Sequence, residues 1–401
     1  MALSYGLTNP AAFKKGGGSE PTPIGYKIYK ICDNTTIWES NDFGLTWTQC
    51  TGSSSALNSS LKYDLVYDPV NDKVICLGGW RSYNATTTVY SCYATPVLNT
   101  NTTFIQGTAR PATTAVRLSI DDKDIQYGTL YDYNTDSLIS LHQTMGYDYD
   151  YVYDYVYDFD YLINSSYTTP NTYATVSYLQ RRQQSSNRNS INIVTGDNGI
   201  ILEIGVGSDS KYKANLFSFV KNSETSYTKQ IISSISASAL NNISNSYKLR
   251  ASYLKNVGFV IKYGTGSNLY TRVIYFDGTL SSIMTWPTLS NAYYYSALSS
   301  NNYYSDKVYL AMGTNVYYTT DGINWNACSG VLTNKVEGTG YNSIILNAGN
   351  NIMVGCGSYA EVSTDGGQTF TKSTQSMNYF TSPEGMYSGN RYTAILVPFY
   401  S

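Results

Sequence analysis

The stretch that decides the fold is Ser363-Thr364-Asp365-Gly366-Gly367-Gln368-Thr369-Phe370, because its pattern recurs elsewhere in the chain. Near the N-terminus it reads Ser40-Asn41-Asp42-Phe43-Gly44-Leu45-Thr46-Trp47, and one residue shorter it reads Thr319-Thr320-Asp321-Gly322-Ile323-Asn324-Trp325. The pattern is typical of a β-hairpin turn, in which the hydroxyl and the carboxylate bond turn amides and Gly takes a positive φ. The aromatic residue then returns to the core. This turn is therefore a repeated structural element.

The three turns resemble the Asp box of the sialidase-type β-propellers, which caps the hairpin between the outer strands of a blade. The resemblance directly covers about two dozen residues. It implies a propeller fold, and it leaves the function open because the boxes of that family lie away from the ligand face. It assigns structural roles to Ser40, Asp42, Gly44, Trp47, Asp321, Gly322, Trp325, Ser363, Asp365, Gly367 and Phe370.

The spacing of the boxes predicts the size of the propeller. Trp325 and Phe370 are 45 residues apart, which is the length of one four-stranded blade. Trp47 and Trp325 are 278 residues apart, or about six such steps if no insertion intervenes. Because an insertion is expected at about 145–190, we predict a single all-β propeller of about seven four-stranded blades, with six or eight possible.

The propeller is expected to occupy residues 24–401, with residues 1–23 forming an extended N-terminal arm or linker. Gly16-Gly17-Gly18 makes this arm flexible, and Pro21-Thr22-Pro23 stiffens its entry into the first strand. A disordered tail is the alternative interpretation of the arm. Pairing of residues 391–400 with the first blade would close the ring and remove its open edge.

Short runs of alternating apolar residues predict strands throughout residues 24–401. The stretch Ile231 to Leu240 is compatible with either a short helix or a strand. The clearest predicted strands are Tyr26 to Cys32, Lys73 to Leu77, Ser137 to Leu141, Ile200 to Val206, Val257 to Tyr263, Arg272 to Phe276, Val308 to Met312, Ile344 to Asn347 and Thr393 to Pro398.

A run of alternating tyrosine and aspartate occupies residues 147–161 of the expected insertion. On a strand, this alternation places aromatic rings on one face and mostly carboxylates on the other. A long hairpin or projecting loop is the preferred interpretation, and a strand packed on its own blade is the alternative. The aromatic contact surface would comprise Tyr147, Tyr149, Tyr151, Tyr153 and Tyr155. The carboxylates from Asp148 to Asp160 could bind sugar hydroxyls, Ca²⁺ or a basic partner.

Two further sets of residues are candidates for ligand contacts. Trp80 and Arg81 follow a Gly78-Gly79 pair at the end of a predicted strand, and they can stack on a sugar and hydrogen-bond to it. Tyr293 and Tyr294 are similar in kind. Ordinary packing within a blade is the alternative for each set.

Composition excludes several functional classes. Charged residues make up only 13% of the chain, the net charge is -2, and no basic run is present, so nucleic acid is not an expected partner. No apolar stretch is long enough to span a bilayer, and none reads as a secretory signal, so membrane insertion is not expected. Phosphate-loop and dinucleotide-binding motifs are absent from the sequence, and His142 is the single histidine.

Catalysis of the sialidase type is not expected, because the residues that the family uses are missing. That family clamps a substrate carboxylate with three arginines, one of them in an Arg-Ile-Pro motif ahead of the first box. Here Arg81 is the first arginine of the chain and the motif is missing. Seven glutamates leave few candidates for a two-carboxylate mechanism. We therefore predict no catalytic residues. We predict no cofactor except Ca²⁺ at the candidate site from Asp148 to Asp160, and the sequence identifies no other metal site.

Six cysteines show neither a CxxC pair nor metal-ligand spacing. Buried free thiols are the preferred interpretation, and the pairs Cys32 with Cys50 and Cys76 with Cys92 are the alternative hairpin disulfides. Cys328 and Cys356 complete the set. Cys76 and Cys356 lie in similar strand patterns and are expected at equivalent positions of their blades.

The polar, low-charge composition with 42 tyrosines is typical of wet binding surfaces. We expect a noncatalytic protein located on a virion or extracellular surface. It would be present in many copies, held to other virion proteins by its arm, and would bind a host glycan or envelope protein. A glycosidase acting on surface glycans and a purely structural capsid- or tail-decorating protein are the alternatives.

Overall fold

The structure is a computed structural model, and every regular element among the residues that it describes is a β-strand. No helix of the described chain has the length and apolar character that crossing a membrane requires. Of the predicted arm, residues 1–23, residues 1–21 lie outside the described part. The described residues are 22–32, 36–52, 62–81, 87–106, 110–112, 125–132, 134–135, 137–145, 150–157, 171–173, 192–206, 211–223, 226–243, 249–265, 268–286, 296–299, 304–336, 344–377 and 394–400.

The strands are numbered along the chain. They are β1 Gly25–Cys32, β2 Thr36–Ser40, β3 Thr48–Gln49, β4 Lys62–Asp68, β5 Lys73–Arg81, β6 Thr87–Ala94, β7 Ile105–Gln106, β8 Arg110–Ala112, β9 Ile125–Asp132, β10 Ser137–Met145, β11 Asp150–Tyr157, β12 Asn171–Tyr173, β13 Asn192–Thr195, β14 Ile201–Val206, β15 Tyr212–Ser223, β16 Ser226–Ile235, β17 Arg250–Leu254, β18 Gly258–Thr265, β19 Asn268–Tyr275, β20 Met284–Thr285, β21 Ser296–Leu298, β22 Val308–Met312, β23 Asn315–Thr319, β24 Asn326–Val331, β25 Ile345–Ala348, β26 Asn351–Cys356, β27 Tyr359–Ser363, β28 Thr371–Lys372 and β29 Ala394–Phe399.

These strands form antiparallel sheets, which we number along the chain. Sheet 1 has the order β29-β1-β2-β3, and sheet 2 has the order β4-β5-β6-β7 with β8 also on β6. Sheet 3 contains β9 to β12, sheet 4 β13 to β16, sheet 5 β17 to β20, sheet 6 β21 to β24 and sheet 7 β25 to β28. Except in sheet 1, the strands of each sheet follow one another in sequence from its inner to its outer edge.

Six of these sheets have the four strands of the predicted blade, one fewer than the seven that the box spacing predicted. Sheet 2 departs from the pattern because its third strand, β6, pairs with two further strands, of which β7 pairs with Cys92 and Tyr93. The first residues of β6, Thr87 to Val89, pair instead with β8, which becomes a fifth strand.

The sheets form a closed ring, which makes the chain a β-propeller. The innermost strands contact one another in the order β29, β4, β9, β13, β17 and β21. The next one, β25, contacts β22, is joined to the end of β21 by the bridge of Ser299 with Ile345, and returns to β29. The predicted closure is confirmed, because the C-terminal strand β29 pairs with β1 from Gly25 opposite Phe399 to Lys30 opposite Ala394. One sheet therefore contains both ends of the propeller, and it has no open inner edge.

The core lies between the faces of neighbouring sheets. One cluster of buried residues joins sheets 1 and 2 around Tyr29 and Val74, and another joins sheets 7 and 1 around Met353 and Leu396. Similar clusters join sheets 4 and 5, 5 and 6, and 6 and 7. Sheets 1, 5, 6 and 7 are thus buried on both broad faces, which explains why their strands include continuous apolar runs as well as alternating ones.

The strands predicted from alternation are all present, within one to four residues at their ends. The ambiguous stretch Ile231 to Leu240 divides into the end of β16 and a turn. Residues 150–157 of the tyrosine–aspartate run form β11, which lies in sheet 3 between β10 and β12. For these eight residues, the alternative of a strand within its own blade describes the structure. The rest of the run lies outside the described residues.

Strand direction divides the propeller into two ends. Because strands alternate in direction, the connections between first and second strands and between third and fourth strands meet at one end. All three Asp boxes join third and fourth strands, so we call this the box end. The start of β1 and the end of β29 also lie there. Connections between second and third strands, and between successive sheets, lie at the opposite end, which we call the distal end.

All six cysteines are free thiols, so neither alternative hairpin disulfide is formed. Cys76 and Cys92 lie directly opposite each other on β5 and β6 and are completely buried. As predicted, Cys76 and Cys356 hold equivalent places, because each lies in the second strand of its sheet. Burial raises the pKa of the Cys50 thiol, with the Glu39 carboxylate adding to the effect.

Candidate functional site

The Asp-box turns have the hydrogen bonds that their residues predict. In each turn the glycine amide donates to the leading hydroxyl: Gly44 N to Ser40 Oγ at 2.7 Å, Gly322 N to Thr319 Oγ1 at 2.7 Å and Gly367 N to Ser363 Oγ at 2.8 Å. The carboxylate of each box accepts one or more turn amides at 2.7–3.0 Å. The turns are therefore self-contained structural units.

The electrostatics of the boxes agree with this structural role. Burial pushes the pKa of Asp321 upward, but the amides of Asn324 and Ile323 outweigh it and hold the pKa at about 2. The hydroxyl and amide of Thr369 hold the pKa of Asp365 well below its usual range. Both carboxylates are thus ionised and committed to their own turns, which leaves them no role as general acids near neutral pH.

Each box also holds its sheet against the preceding sheet of the ring. The box glycines have positive φ angles, +107° for Gly44, +75° for Gly322 and +91° for Gly367. A Cβ at these positions would lie only 2.2–2.6 Å from a side chain of the neighbouring sheet. The pairs in contact are Gly44 with Met353, Gly322 with Val273 and Gly367 with Cys328. Each box therefore packs tightly against the preceding sheet and has a structural role, so we expect ligand contacts in other parts of the protein.

The strand ends next to several candidate ligand residues in the sequence lie at the distal end. Trp80 and Arg81 are the last residues of β5, a second strand. Tyr147 and Tyr149 follow the end of β10, and Tyr293 and Tyr294 precede the start of β21. These four tyrosines lie outside the described residues, but the strand ends that flank them are all distal. The sequence alone could not show that these strand ends lie at the same end of the propeller.

Within β11, Tyr151, Tyr153 and Tyr155 hold alternate positions of a strand paired on both sides. Tyr151 is nearest to the distal end, where it lies opposite Thr144. The candidate Ca²⁺ ligands from Asp148 to Asp160 have no described side chains, so that site stays a prediction. Among the described side chains, no cluster of three or more potential metal ligands is present.

A cationic cluster that sequence reasoning missed lies at the distal end between sheets 5 and 6. Lys262 is almost completely buried, and its Nζ donates to the carbonyl oxygen and to Oγ of Ser296, both at 2.8 Å. Arg250 lies directly opposite Lys262 in the pairing of β17 with β18. Burial, helped by Arg250, lowers the pKa of Lys262 to about 7. This amine therefore changes its charge near neutral pH.

Two tyrosines extend this cluster along the same strands. Tyr263 and Tyr270 stack with ring centroids 5.4 Å apart, close to the distal connection between β18 and β19. Arg272 lies on the next part of β19 and donates to the carbonyl oxygen of Ser281 at 2.7 Å. Lys262, Tyr263 and Arg272 are buried, whereas Arg250 and Tyr270 are only half-buried, so these two are the members of the cluster that a ligand could reach. No sequence motif marks these residues, because their neighbours are supplied by other strands.

The box end has its own polar cluster. Tyr67 donates a 3.0 Å hydrogen bond to Asp72, and burial raises the pKa of both groups. Tyr304 and Tyr400 are near enough to raise the pKa of Tyr67 further. Asp68 and Asp132, both completely buried, accept turn amides after β4 and β9 at 2.9–3.1 Å. The repeated Tyr-Asp pair at 67–68 and 131–132 was the sequence signal for these turns.

The described glutamates are engaged within and between the sheets. All three are buried, and each has an ion-pair or hydrogen-bond partner. Glu39 pairs with Lys27 at 2.9 Å, Glu203 pairs with Lys229 at 3.6 Å, and Glu361 accepts the amides of Thr333 and Asn334 at 2.7 Å.

Comparisons with known proteins add shape similarities only. No family model and no curated protein matches the chain. Among solved structures, SapL1 lectin in complex with alpha methyl fucoside aligns at 10% identity and a TM-score of 0.39, covering 79% of this chain and 96% of that one. A protein from Lactobacillus plantarum aligns at 10% identity and a TM-score of 0.45, covering 93% and 99%.

Prolyl oligopeptidase B from Galerina marginata aligns at 7% identity and a TM-score of 0.36, covering 85% of this chain and 56% of that one. The chain therefore spans little more than half of that enzyme. Because all three TM-scores are below 0.5, these likenesses decide no functional question. The fold assignment rests on the strand order and ring closure of the chain itself.

Proposed function

We propose that this chain is a noncatalytic binding protein displayed in many copies on the surface of a virus or phage particle. Its distal end recognises a host glycan or envelope protein, and its box end faces the particle. A glycan-binding role is favoured over a basic or nucleic-acid ligand because the chain is rich in tyrosine and has a net charge of only -2.

The observation that carries this proposal is the separation of the two ends. The chain enters the propeller at Ile24 and Gly25, at the box end, where Ile24 N bonds Phe399 O at 2.7 Å. Trp80 and Arg81 end β5 at the opposite, distal end. An anchor at the box end therefore leaves the aromatic and cationic residues facing away from the particle.

Individual contacts at the distal end are expected to be weak. Stacking of a sugar on Trp80 or on the half-buried Tyr270 supplies little affinity by itself, and hydroxyl contacts compete with water. Many copies on one particle multiply such contacts through a high effective concentration. This mechanism requires no catalytic group, in keeping with the structural engagement of Glu39, Glu203 and Glu361.

The test is a glycan-array and host-cell binding assay with multimerised purified protein. The test variants are the double substitution Trp80→Ala with Arg81→Ala and the double substitution Tyr293→Ala with Tyr294→Ala. Deleting the tyrosine–aspartate run is not a suitable test, because β11 pairs with both β10 and β12 and its loss would unfold sheet 3. The matched control is Ile323→Ser, an exposed residue of a box turn at the box end.

Binding that is lost in the distal variants and kept in the control supports the proposal. Binding that is lost equally in Ile323→Ser, with all variants folded, would place the ligand contacts elsewhere. If the folded protein ignores every glycan and host cell, the attachment role fails, and a structural role in decorating the particle takes its place. Hydrolysis of an array glycan would instead establish the glycosidase alternative.

A further inference from the structure

The outer rim of sheet 4 differs from the rims of the other sheets. Its outermost strand, β16, is ten residues long. The outermost strands β3, β7, β20 and β28 have two residues each, β12 has three and β24 has six. Among the described strands none pairs with the outer side of β16, and an outer strand of this length presents there a long row of backbone groups, which is the template for adding another strand.

The exposed side chains of β16 carry no charge. Thr228, Gln230, Ile231, Ile232 and Ser234 are exposed, with Ile231 50% and Ile232 43% accessible. Lys229, which would protect such an edge if it pointed outward, is buried against Glu203 and lies 3.8 Å above the Phe217 ring. The edge therefore lacks the outward charges with which proteins normally discourage strand addition.

A β-bulge explains why two isoleucines are exposed side by side. Phe217 pairs with Ile231, but the preceding residue Leu216 pairs with Ser233, so Ile232 is the extra residue of β16. The bulge lets the strand bury Tyr227 before it and Ile235 after it. It leaves an apolar pair at the middle of the strand, where an added strand would cover it.

The arm of this chain has the sequence that such an edge would accept. Leu3-Ser4-Tyr5-Gly6-Leu7-Thr8 alternates apolar and small or polar residues, and the first charged side chains come later, at Lys14 and Lys15. The arm joins the propeller at sheet 1, whereas β16 lies three sheets further around the ring. This position makes a neighbouring copy the natural donor.

We propose that residues 3–8 of one copy add to β16 of a neighbouring copy as an extra edge strand. The apolar side chains of the arm then cover Ile231 and Ile232, while main-chain hydrogen bonds satisfy the open side of the strand. Copies linked in this way keep their distal ends free. The inference rests on the proposed multicopy display, but its test uses no ligand.

The test compares the self-association of the full-length chain and three variants by sedimentation velocity over a wide range of concentration. Ile232→Lys places a charge on the edge, and the double substitution Leu3→Ser with Leu7→Ser removes the apolar pattern of the arm. Ile105→Lys, on the short outer strand β7 where Ile105 is 55% exposed, is the matched control. Thermal melting checks that each variant is folded.

We expect the unaltered chain and the control to associate alike, and the edge and arm variants to associate roughly tenfold more weakly or worse. Hydrogen exchange should also show slower exchange of β16 amides in the associated protein. A chain that stays monomeric at every concentration overturns the proposal. Association that survives the arm variant but is lost in Ile232→Lys also overturns it, because β16 would then pair with another β16.

Discussion

Replacing Gly322 by alanine tests the idea that the Asp boxes stabilise the propeller by packing tightly against the neighbouring sheet. Gly322 has a φ of +75°, and an added Cβ would lie 2.2 Å from Val273 Cγ2 and 3.2 Å from Val260 Cγ2. Both valines are completely buried in sheet 5, so they have little room to move. The substitution therefore adds overpacking at a sheet interface to the cost of a left-handed backbone.

The magnitude follows from these two contributions. A left-handed backbone costs an alanine about 1–2 kcal/mol, and overpacking a well-packed site costs about 1–3 kcal/mol more. Gly322→Ala should thus lower the free energy of unfolding by about 2–5 kcal/mol. Gly313→Ala is the matched control, because Gly313 has a φ of +63° but no atom within 4 Å of its Cβ position. Gly313→Ala should therefore lose only the unfolding free energy that the left-handed backbone costs.

Urea unfolding followed by tryptophan fluorescence measures both variants. Tight packing of the box predicts a clearly larger loss of unfolding free energy for Gly322→Ala than for Gly313→Ala. The dependence of that free energy on urea concentration should be the same for both variants. Equal losses would refute the reasoning, because the contact with sheet 5 would then contribute nothing. A loss at Gly322 that fell to the value of the Gly313→Ala control in a Val273→Ala background would confirm that the valine side chain causes the additional loss.

Three further predictions concern charged groups. The folded-state pKa of Lys262, about 7, lies below its unfolded value of 10.5, so between these pH values the unfolded chain binds more protons. Stability should therefore rise with pH across that window by up to about 1.4 kcal/mol per unit, and Lys262→Met should abolish this part of the rise in pH-dependent urea melts. Lys27→Met should cost about 3–5 kcal/mol because it leaves the Glu39 carboxylate buried, and adding Glu39→Gln should restore part of that loss in a double-mutant cycle. Asp321 has a folded pKa near 2, so its contribution is present above pH 4 and is lost as the pH falls towards 2; Asp321→Ala should cost about 1 kcal/mol at pH 7 and almost nothing at pH 2, measured by urea unfolding.

The local elements of this protein could be read from its sequence. Each Asp box is a set of hydrogen bonds among eight or fewer consecutive residues, so Ser363, Asp365 and Gly367 specify their turn wherever the chain places it. Alternation likewise predicted the strands, because successive side chains of a strand point to opposite faces whatever its neighbours are. The closing strand was predictable because an unpaired inner edge is costly.

The tertiary structure decided everything that depends on which strands become neighbours. Sheet 2 has a fifth strand because β8 pairs with the first residues of β6, and the box spacing could not reveal this. Lys262 contacts Ser296 across 34 residues of chain, and its pKa follows from burial between two sheets. The sequence by itself determined the turns, the strands and the propeller class, since these depend on short-range hydrogen bonding and side-chain alternation. The distal cluster and the open edge at β16 arise only from the stacking and order of whole sheets.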